Sequence, residues 1–220
     1  MCVASSGIAA LLLPGGRTAH SRFAIPLDIN EVSTCNIGKN TQLAELIRQT
    51  SLIIWDEVPM QHRYCFAAVS RTLNDLCNVS DEACIFGNIP ILLGGDYAQI
   101  APVVRRGNRA TTVRASLISS ELWQHFQILR LTVNMRVQPG QDNIAFARWL
   151  ECMSYDNCMY GNLPIPEYIR TYTVLQDLID FVYPPATIAT ACTDLATFQH
   201  RCILAFHNVT INALNAMILQ

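Results

Sequence analysis

The sequence predicts an α/β protein with a largely parallel sheet, because apolar runs of strand length alternate with amphipathic helical segments. The strand-length runs lie at 51–55, 89–94, 127–131, 186–191 and 202–206. The helical patterns lie at 41–49, 66–76, 142–153 and 208–219. Of the 220 residues, 51% are apolar, which is enough for a packed core. A layered α/β domain is therefore the expected architecture.

Two helical patterns in the first half of the chain each place their apolar residues on one face. In 41–49 these residues are Leu43, Leu46 and Ile47. In 66–76 they are Phe66, Val69, Leu73 and Leu76. An apolar stripe at this spacing is typical of a helix that packs one side against a sheet.

The strand predicted at 51–55 leads directly into two adjacent carboxylates, Asp56 and Glu57, before the chain turns at Pro59. In α/β nucleotide enzymes, a carboxylate pair at the carboxyl end of a buried strand holds magnesium and activates water. Surface acids at the start of a loop are the alternative interpretation of the same pattern.

The strand predicted at 89–94 runs into a glycine pair, followed by Asp96 and Gln99. Thirty-nine positions separate Asp56 from Gly95, which is room for one crossover helix between two neighbouring parallel strands. Both strand ends are then expected to face one crevice. A glutamine in such a crevice can sense a terminal phosphate or position a water molecule.

Arg136 follows the strand predicted at 127–131. An arginine at such a position can neutralise charge on a phosphoryl group, or it can simply be a surface residue.

Near the N-terminus, Ser5 and Ser6 precede Gly7 and a helix-length apolar run. Hydroxyl and backbone N–H groups at a helix start suit the phosphate oxygens of a nucleic acid, although helix capping alone also explains the two serines.

Composition narrows the function classes further. The net charge of −2 shows no overall basic character, so any nucleic-acid contact must come from a local patch. One such patch is the acid-free stretch 97–120, and its arginines are Arg105, Arg106, Arg109 and Arg114. The nine cysteines form no C-x-x-C pair, which indicates reduced thiols in an intracellular protein and no thiol-bound metal. The apolar runs are too short to span a bilayer, so no membrane partner is expected.

Four stretches, in this order, resemble the petite integration frequency (Pif) DNA helicases of superfamily one, and especially the helicase regions of Helitron transposons. They are ASSGIAALLLPGGRTAHSRFAIP (4–26), LIIWDEVPM (52–60), LLGGDYAQIAPV (92–103) and LRLTVNMRV (129–137). The resemblance implies a 5′-to-3′ DNA-unwinding motor that hydrolyses ATP with Mg²⁺. It also implies nuclear residence and a role in DNA repair, recombination, telomere maintenance or transposon replication.

The resemblance assigns roles to individual residues. Asp56 would hold Mg²⁺, and Glu57 would be the general base for the attacking water. Gln99 would sense the γ-phosphate, and Arg136 would reach that phosphate from a second domain. The residues implied to contact single-stranded DNA are Ser6, Gly7, His20 and Ser21, to which the charge pattern adds Arg105, Arg106, Arg109 and Arg114.

The sequence departs from the family at its phosphate-binding loop. A loop of the type G-x-x-x-x-G-K-[ST] requires a lysine, and the one lysine of the chain, Lys39, has Asn40 and Ser33 where the hydroxyl residue and first glycine belong. We therefore expect a RecA-like P-loop NTPase sheet of three α/β/α layers that lacks its first strand and phosphate-binding loop. Residues 1–131 would be a partial first helicase domain, and residues 132–220 a linker and the start of the second.

This departure sets three further expectations. ATP binding should be weak or absent and hydrolysis negligible, while the oligomeric state stays open. A missing central strand should leave two unpaired inner sheet edges and marginal stability. A non-catalytic single-stranded-DNA-binding remnant of a decayed transposon helicase is the alternative function, and a decayed product without selected activity is a third possibility.

Overall fold

The computed structural model describes residues 1–81, 83–137, 140–156, 161, 163–186, 188, 198 and 201–218. The chain divides into two compact units, Met1–Met159 and Tyr160–Gln220. The domain boundary expected at 131/132 stays a prediction.

The first unit is built on a parallel sheet of four short strands in the order β2-β1-β3-β4. The strands are β1 Cys2–Ala4, β2 Arg17–Thr18, β3 Ile53–Asp56 and β4 Ile91–Leu93. In register, Ala4 lies beside both Thr18 and Asp56, and Trp55 lies beside Leu93. The α/β class with a parallel sheet is thus confirmed. The expected unpaired inner edges are not found, since the four described strands pair continuously.

Helix α4 (Arg63–Leu76) is the crossover between β3 and β4. It begins at Arg63 because the Nδ1 atom of His62 accepts a hydrogen bond from the Tyr64 N–H at 3.2 Å, which caps the first turn. It ends just before Asn78, which takes a left-handed φ of 53°. The predicted apolar stripe is buried on this helix at Phe66, Val69, Leu73 and Leu76.

The hydrophobic core is centred on Trp55 of β3, whose ring lies between two phenylalanine rings. The Trp55 ring centroid is 5.7 Å from that of Phe23 and 4.4 Å from that of Phe66. All three side chains are completely buried. Burial of each large apolar side chain is worth about 1.5–3 kcal/mol, so this cluster is a main anchor of β3.

The remaining helices flank the strands or follow them. In the first unit they are α1 Gly7–Leu11, α2 Ala19–Phe23, α3 Gln42–Arg48, α5 Arg109–Ala115 and α6 Gln141–Tyr155. In the second unit they are α7 Leu175–Val182 and α8 Asn208–Ile218. The structure thus confirms the helices predicted at 41–49, 66–76, 142–153 and 208–219. None of the helices it describes is long and apolar enough to cross a membrane.

Two of the predicted strands are wrong, and a third cannot be judged. The runs 127–131 and 202–206 are not strands and are largely exposed, with Leu131 and Phe206 fully accessible. A strand needs a neighbour to pair with, and apolar composition alone does not supply one. The run at 186–191 falls mainly outside the described residues.

Candidate functional site

The carboxyl ends of all four strands meet at one edge of the sheet because the strands are parallel. Strand β1 leads into Ser5 and Ser6, and β2 into α2 with its His20. Strand β3 ends at Asp56 and β4 leads into Gly94. The two strand ends predicted to face one crevice are therefore direct neighbours.

A cleft of about 260 Å³ opens at this edge. Its lining residues are Ser6, Ile8, Ala9, Leu12, Glu57, Met60, Asp96, Gln99 and Ile100. The cleft brings together Glu57 and Gln99, as predicted. It also includes Ser6, which the sequence analysis assigned to a different ligand. The phosphate-contacting and DNA-contacting candidates thus share one cavity.

The acid pair is held in a defined backbone geometry. The Oδ1 atom of Asp56 accepts a hydrogen bond from the Glu57 N–H at 2.9 Å, and Glu57 takes a left-handed backbone at φ 55° and ψ 40°. Non-glycine residues adopt this conformation only where their surroundings enforce it, which is frequent at functional sites. The turn sends the chain into a short 3₁₀ segment, Val58–Met60, and places the Glu57 side chain at the cleft.

The glycine pair after β4 packs tightly against this turn. The Gly94 N–H donates to the Trp55 carbonyl at 2.8 Å, and the Val58 N–H donates to the Gly94 carbonyl at 3.0 Å. At Gly95, a Cβ atom would lie 2.3 Å from the Pro59 Cδ, closer than any real Cβ contact. Only glycine lets the two strand ends approach this closely.

Asp96 organises the turn that follows. Its Oδ1 accepts from the Ala98 N–H at 2.9 Å, its Oδ2 accepts from the Gln99 Nε2 at 3.3 Å, and its carbonyl accepts from the Gln99 N–H at 3.2 Å. Asp96 follows the glycine pair in the sequence, but no role was predicted for it. The structure adds it to the site residues.

The N-terminal segment is tied to β3 through Ser5. The Ser5 N–H donates to the Asp56 carbonyl at 3.0 Å, and its hydroxyl accepts from the Trp55 indole N–H at 3.3 Å. Ser6 caps α1 by accepting from the Ala9 N–H at 3.2 Å, as the capping alternative predicts. Sequence reasoning missed the link to Trp55, since no local pattern reports a contact across fifty positions.

The other residues of the predicted DNA motif lie at the same end of the sheet. Gly7 is the exposed first residue of α1, and a Cβ atom there would meet nothing within 4 Å. His20 and Ser21 lie in α2, and the Thr18 hydroxyl caps this helix through the Ser21 N–H. Burial lowers the pKa of His20 below its ordinary value. A neutral His20 is therefore favoured at neutral pH.

The four arginines of the acid-free stretch are all exposed on or before α5, at Arg105, Arg106, Arg109 and Arg114. Neither ion pair found among the described residues includes any of them. Their guanidinium groups are accordingly open to an anionic ligand.

Arg136 lies in an exposed turn, where its backbone N–H donates to the Asn134 Oδ1 at 3.0 Å. Arg136 belongs to neither ion pair of the described residues and is not among the residues that line the cleft. Lys39 is also remote from the cleft, since its ammonium pairs with Asp75 of α4 at 2.6 Å. The site therefore has no lysine.

The donor set at β3 fits Mg²⁺ to a limited degree. Mg²⁺ usually keeps several waters and takes one or two carboxylates together with substrate phosphates. Asp56 offers one carboxylate whose Oδ1 is already bonded to a backbone N–H, which leaves Oδ2 for a cation. No group of three or more His, Cys, Asp or Glu side chains suited to a metal occurs in the described part of the chain.

Comparison with known proteins places this geometry in context. The family model described as PIF1-like helicase matches residues 1–159. The ATP-dependent DNA helicase Pif1 of Psychrobacter sp. (strain PRwf-1) is 29% identical over 140 residues, covering 63% of this chain and 21% of that protein.

Solved structures share the fold. The Pif1 helicase from Bacteroides in complex with ADP-AlF3 and ssDNA matches 100% of this chain and 46% of its own length, with a TM-score of 0.68 and 21% identity. The Pif1 helicase from Candida albicans matches 87% of this chain and 44% of its own length, with a TM-score of 0.52 and 21% identity. The chain therefore spans less than half the length of these relatives.

Proposed function

Because the chain belongs to the PIF1-like helicase family, we propose that it forms part of an ATP-dependent DNA helicase that unwinds DNA in the 5′-to-3′ direction. In this proposal the cleft at the carboxyl edge of the sheet receives the terminal phosphate of ATP. The N-terminal motif and the arginines around α5 receive single-stranded DNA.

One observation supports this function above the others. Glu57 and Gln99, which are far apart in sequence, line one cleft at the end of two adjacent parallel strands. Ligands of α/β sheets bind in such crevices outside the carboxyl ends of the strands. The arrangement suits a general base next to a group that orients water or phosphate.

Each site residue has a proposed role. Asp56 holds Mg²⁺, directly or through water, which supplies charge stabilisation to the phosphates when it is bound. Glu57 accepts the proton of the attacking water, and Gln99 assists at the terminal phosphate. Arg136 neutralises charge on the transferring phosphoryl group.

The DNA contacts are proposed from exposure and charge. Ser6 and Gly7 lie at the start of α1, and His20 and Ser21 at the start of α2, all near one edge of the sheet. Arg105, Arg106, Arg109 and Arg114 form no ion pair in the described part of the chain, and their guanidinium groups suit backbone phosphates. Residues 97–137 contain two further arginines, Arg130 and Arg136. Because each phosphate contact releases counterions, binding is expected to depend strongly on salt.

The direct test is the binding of a fluorescein-labelled oligo(dT) strand, followed by fluorescence anisotropy at several salt concentrations. The double variant Arg105→Ala/Arg106→Ala should bind more weakly. Its slope of log affinity against log salt should be smaller by about 1.4, because each lost contact to a single strand removes about 0.7. Arg148→Ala, which removes an exposed arginine of α6, is the matched control and should leave the slope unchanged.

A second titration tests the nucleotide part of the proposal. Because the chain contains no G-x-x-x-x-G-K-[ST] loop, we propose that on its own it binds ATP weakly and hydrolyses it negligibly. High concentrations of ATP with Mg²⁺ should still change the affinity for oligo(dT), and Glu57→Gln should keep this change. Absence of oligo(dT) binding would refute the whole proposal.

The second candidate is a non-catalytic DNA-binding remnant. It is favoured because Lys39, the one lysine of the chain, forms an ion pair with Asp75 and does not line the cleft. Salt-sensitive binding with no effect of ATP would select this candidate over the helicase.

We also propose that the protein acts in the nucleus in DNA repair, recombination, telomere maintenance or Helitron transposition. Imaging of a fluorescent fusion tests the location, and a signal confined to the cytoplasm would contradict it.

A further inference from the structure

A second pocket, of about 490 Å³, lies at the edge of the sheet where β1, β2 and β3 begin, opposite to the cleft. It is lined by Pro14 and Gly15, which precede β2, and by residues 49–52, which connect α3 to β3. Among the described residues that line it, Arg22 has the one charged side chain. The pocket shares no lining residue with the cleft, so its ligand is independent of the proposed function.

The guanidinium group of Arg22 is held in place but is poorly hydrogen-bonded. Its Nε atom is buried and has no hydrogen-bond partner in the described part of the chain. Its Nη2 atom donates to the Gly15 carbonyl at 3.4 Å, which is long for such a bond. Nη1 also lacks an acceptor among the described residues, and it is accessible to solvent because Nε is the one buried donor without a partner. Most of the N–H donors of this guanidinium are therefore unused.

The positive charge of Arg22 is not neutralised within the part of the chain that the structure describes. Arg22 belongs to neither ion pair of these residues. The nearby acid of α3, Glu45, accepts from the Gln49 Nε2 at 2.8 Å and pairs with Arg48 at 3.3 Å. The Glu45 carboxylate is thus engaged by these two neighbours, and the charge of Arg22 is available to an anionic ligand.

We propose that this pocket binds the carboxylate group of a small organic acid. One guanidinium carries a single positive charge, which matches a carboxylate better than a phosphate dianion. A guanidinium also pairs with a planar carboxylate through two parallel N–H···O bonds. Since Nε is buried, the carboxylate approaches the Nη1 and Nη2 end of Arg22.

The rest of the pocket suits the remainder of such an acid. Pro14, Leu46 and Leu52 supply apolar surface beside the guanidinium. The volume lies within the range of about 300–1,000 Å³ that is usual for sites of small molecules. An acid with a short apolar chain is therefore the expected class of ligand.

Titration with sodium hexanoate tests the site on the full chain. Hexanamide, its neutral counterpart, is the matched control ligand. ¹⁵N-edited NMR follows the Nε–H signal of Arg22, which is identified by its absence in Arg22→Gln, and the backbone amides of Gly15 and Ser51. We expect saturable shifts of all three signals with hexanoate and none with hexanamide at the same concentration. No saturable shift with hexanoate, or an equal response to hexanamide, would overturn the inference without the use of any variant.

The variants test whether Arg22 carries the binding. Arg22→Gln should weaken hexanoate binding by about tenfold or more, because charge-assisted hydrogen bonds are lost. Arg22→Lys should bind with intermediate affinity, since lysine keeps the charge without the planar fork. Arg17→Gln, which removes an exposed arginine of β2 outside the pocket, is the matched control and should bind like the wild type. Urea unfolding checks that each variant is folded.

Three outcomes of these titrations would contradict the assignment. Wild-type affinity in a folded Arg22→Gln variant would show that Arg22 does not hold the carboxylate. Tighter binding of inorganic phosphate than of hexanoate would assign the pocket to phosphate groups. Tighter binding of the blocked peptide acetyl-Gly-Glu-Gly-amide would assign it to an acidic side chain of a peptide.

Discussion

Replacing Gly95 by alanine should destabilise the first unit substantially, because the new methyl group has no room. Its Cβ would lie 2.3 Å from the Pro59 Cδ and 3.1 Å from the Val58 N, and the backbone φ of +154° is one that residues with a side chain rarely adopt. Pro59 is buried and its ring is rigid, so the backbone must move instead.

The expected cost is the sum of two effects. Overpacking of a tight contact costs about 1–3 kcal/mol, and a disfavoured φ adds about 1–2 kcal/mol. The total is about 2–5 kcal/mol, and each kcal/mol corresponds to a fall in Tm of about 2–4 °C in a chain of this size. Urea unfolding followed by tryptophan fluorescence measures the change, since Trp55 is completely buried.

Gly7→Ala is the matched control for this experiment. A Cβ at Gly7 meets nothing within 4 Å and lies in the first turn of α1, so the free energy of unfolding should stay constant or rise by up to about 1 kcal/mol. Equal free energies of unfolding for the Gly95→Ala and Gly7→Ala variants would show that Gly95 does not pack against Pro59 as closely as described.

Three further predictions concern the helix cap, a buried hydroxyl and the thiols. Burial and, to a smaller extent, Arg63 lower the pKa of His62, so the free energy of unfolding should be steady above pH about 6.5 and decline as the pH falls below it. His62→Asn should reduce this decline in urea melts at pH 5 and 7.5, and an unchanged decline would count against the cap. Thr72→Val should cost about 1–3 kcal/mol in the same assay, because the buried Cys35 N–H loses its acceptor at 2.9 Å; a cost near zero would contradict this. Burial raises the pKa of Cys35 to about 11, so iodoacetamide at pH 8 should modify the exposed Cys202 long before Cys35. Peptide mass spectrometry measures both rates of modification, and equal rates would contradict the burial of the Cys35 thiol.

The spacing of apolar residues in the sequence was sufficient to predict the helices and strands that bury one regular face. Helix α4 and strand β3 were predictable because their apolar residues recur at helical or strand spacing, and both bury them. Strands β1 and β2 have three and two residues, too few for any periodicity to appear. Strand β1 exists because the edge of β3 offers a partner, and β2 exists because the edge of β1 does, which is a property of the assembled sheet.

The site was predictable to a similar extent. The joint crevice of Glu57 and Gln99 followed from the room for one crossover between two parallel strands. The roles of Asp96 and Ser5 did not, since they depend on hydrogen bonds whose geometry no spacing rule contains. The strand predicted at 127–131 was wrong for the opposite reason. Its apolar pattern suits a strand, but in the described part of the chain this run pairs with no neighbouring strand.

The bond between the Trp55 indole and the Ser5 hydroxyl gives the protein a built-in optical reporter. Ser5 comes immediately before Ser6, the N-cap of α1, and the Ser5 N–H donates to the carbonyl of Asp56. Because the Ser5 hydroxyl also accepts from the indole, the environment of the Trp55 ring depends on the position of the start of α1 relative to Asp56. We expect the emission of Trp55 to shift when Ser5 is replaced by alanine, and an unchanged spectrum would argue against this coupling. Events at the start of α1 would thus be visible in the intrinsic fluorescence of the chain, without any attached dye.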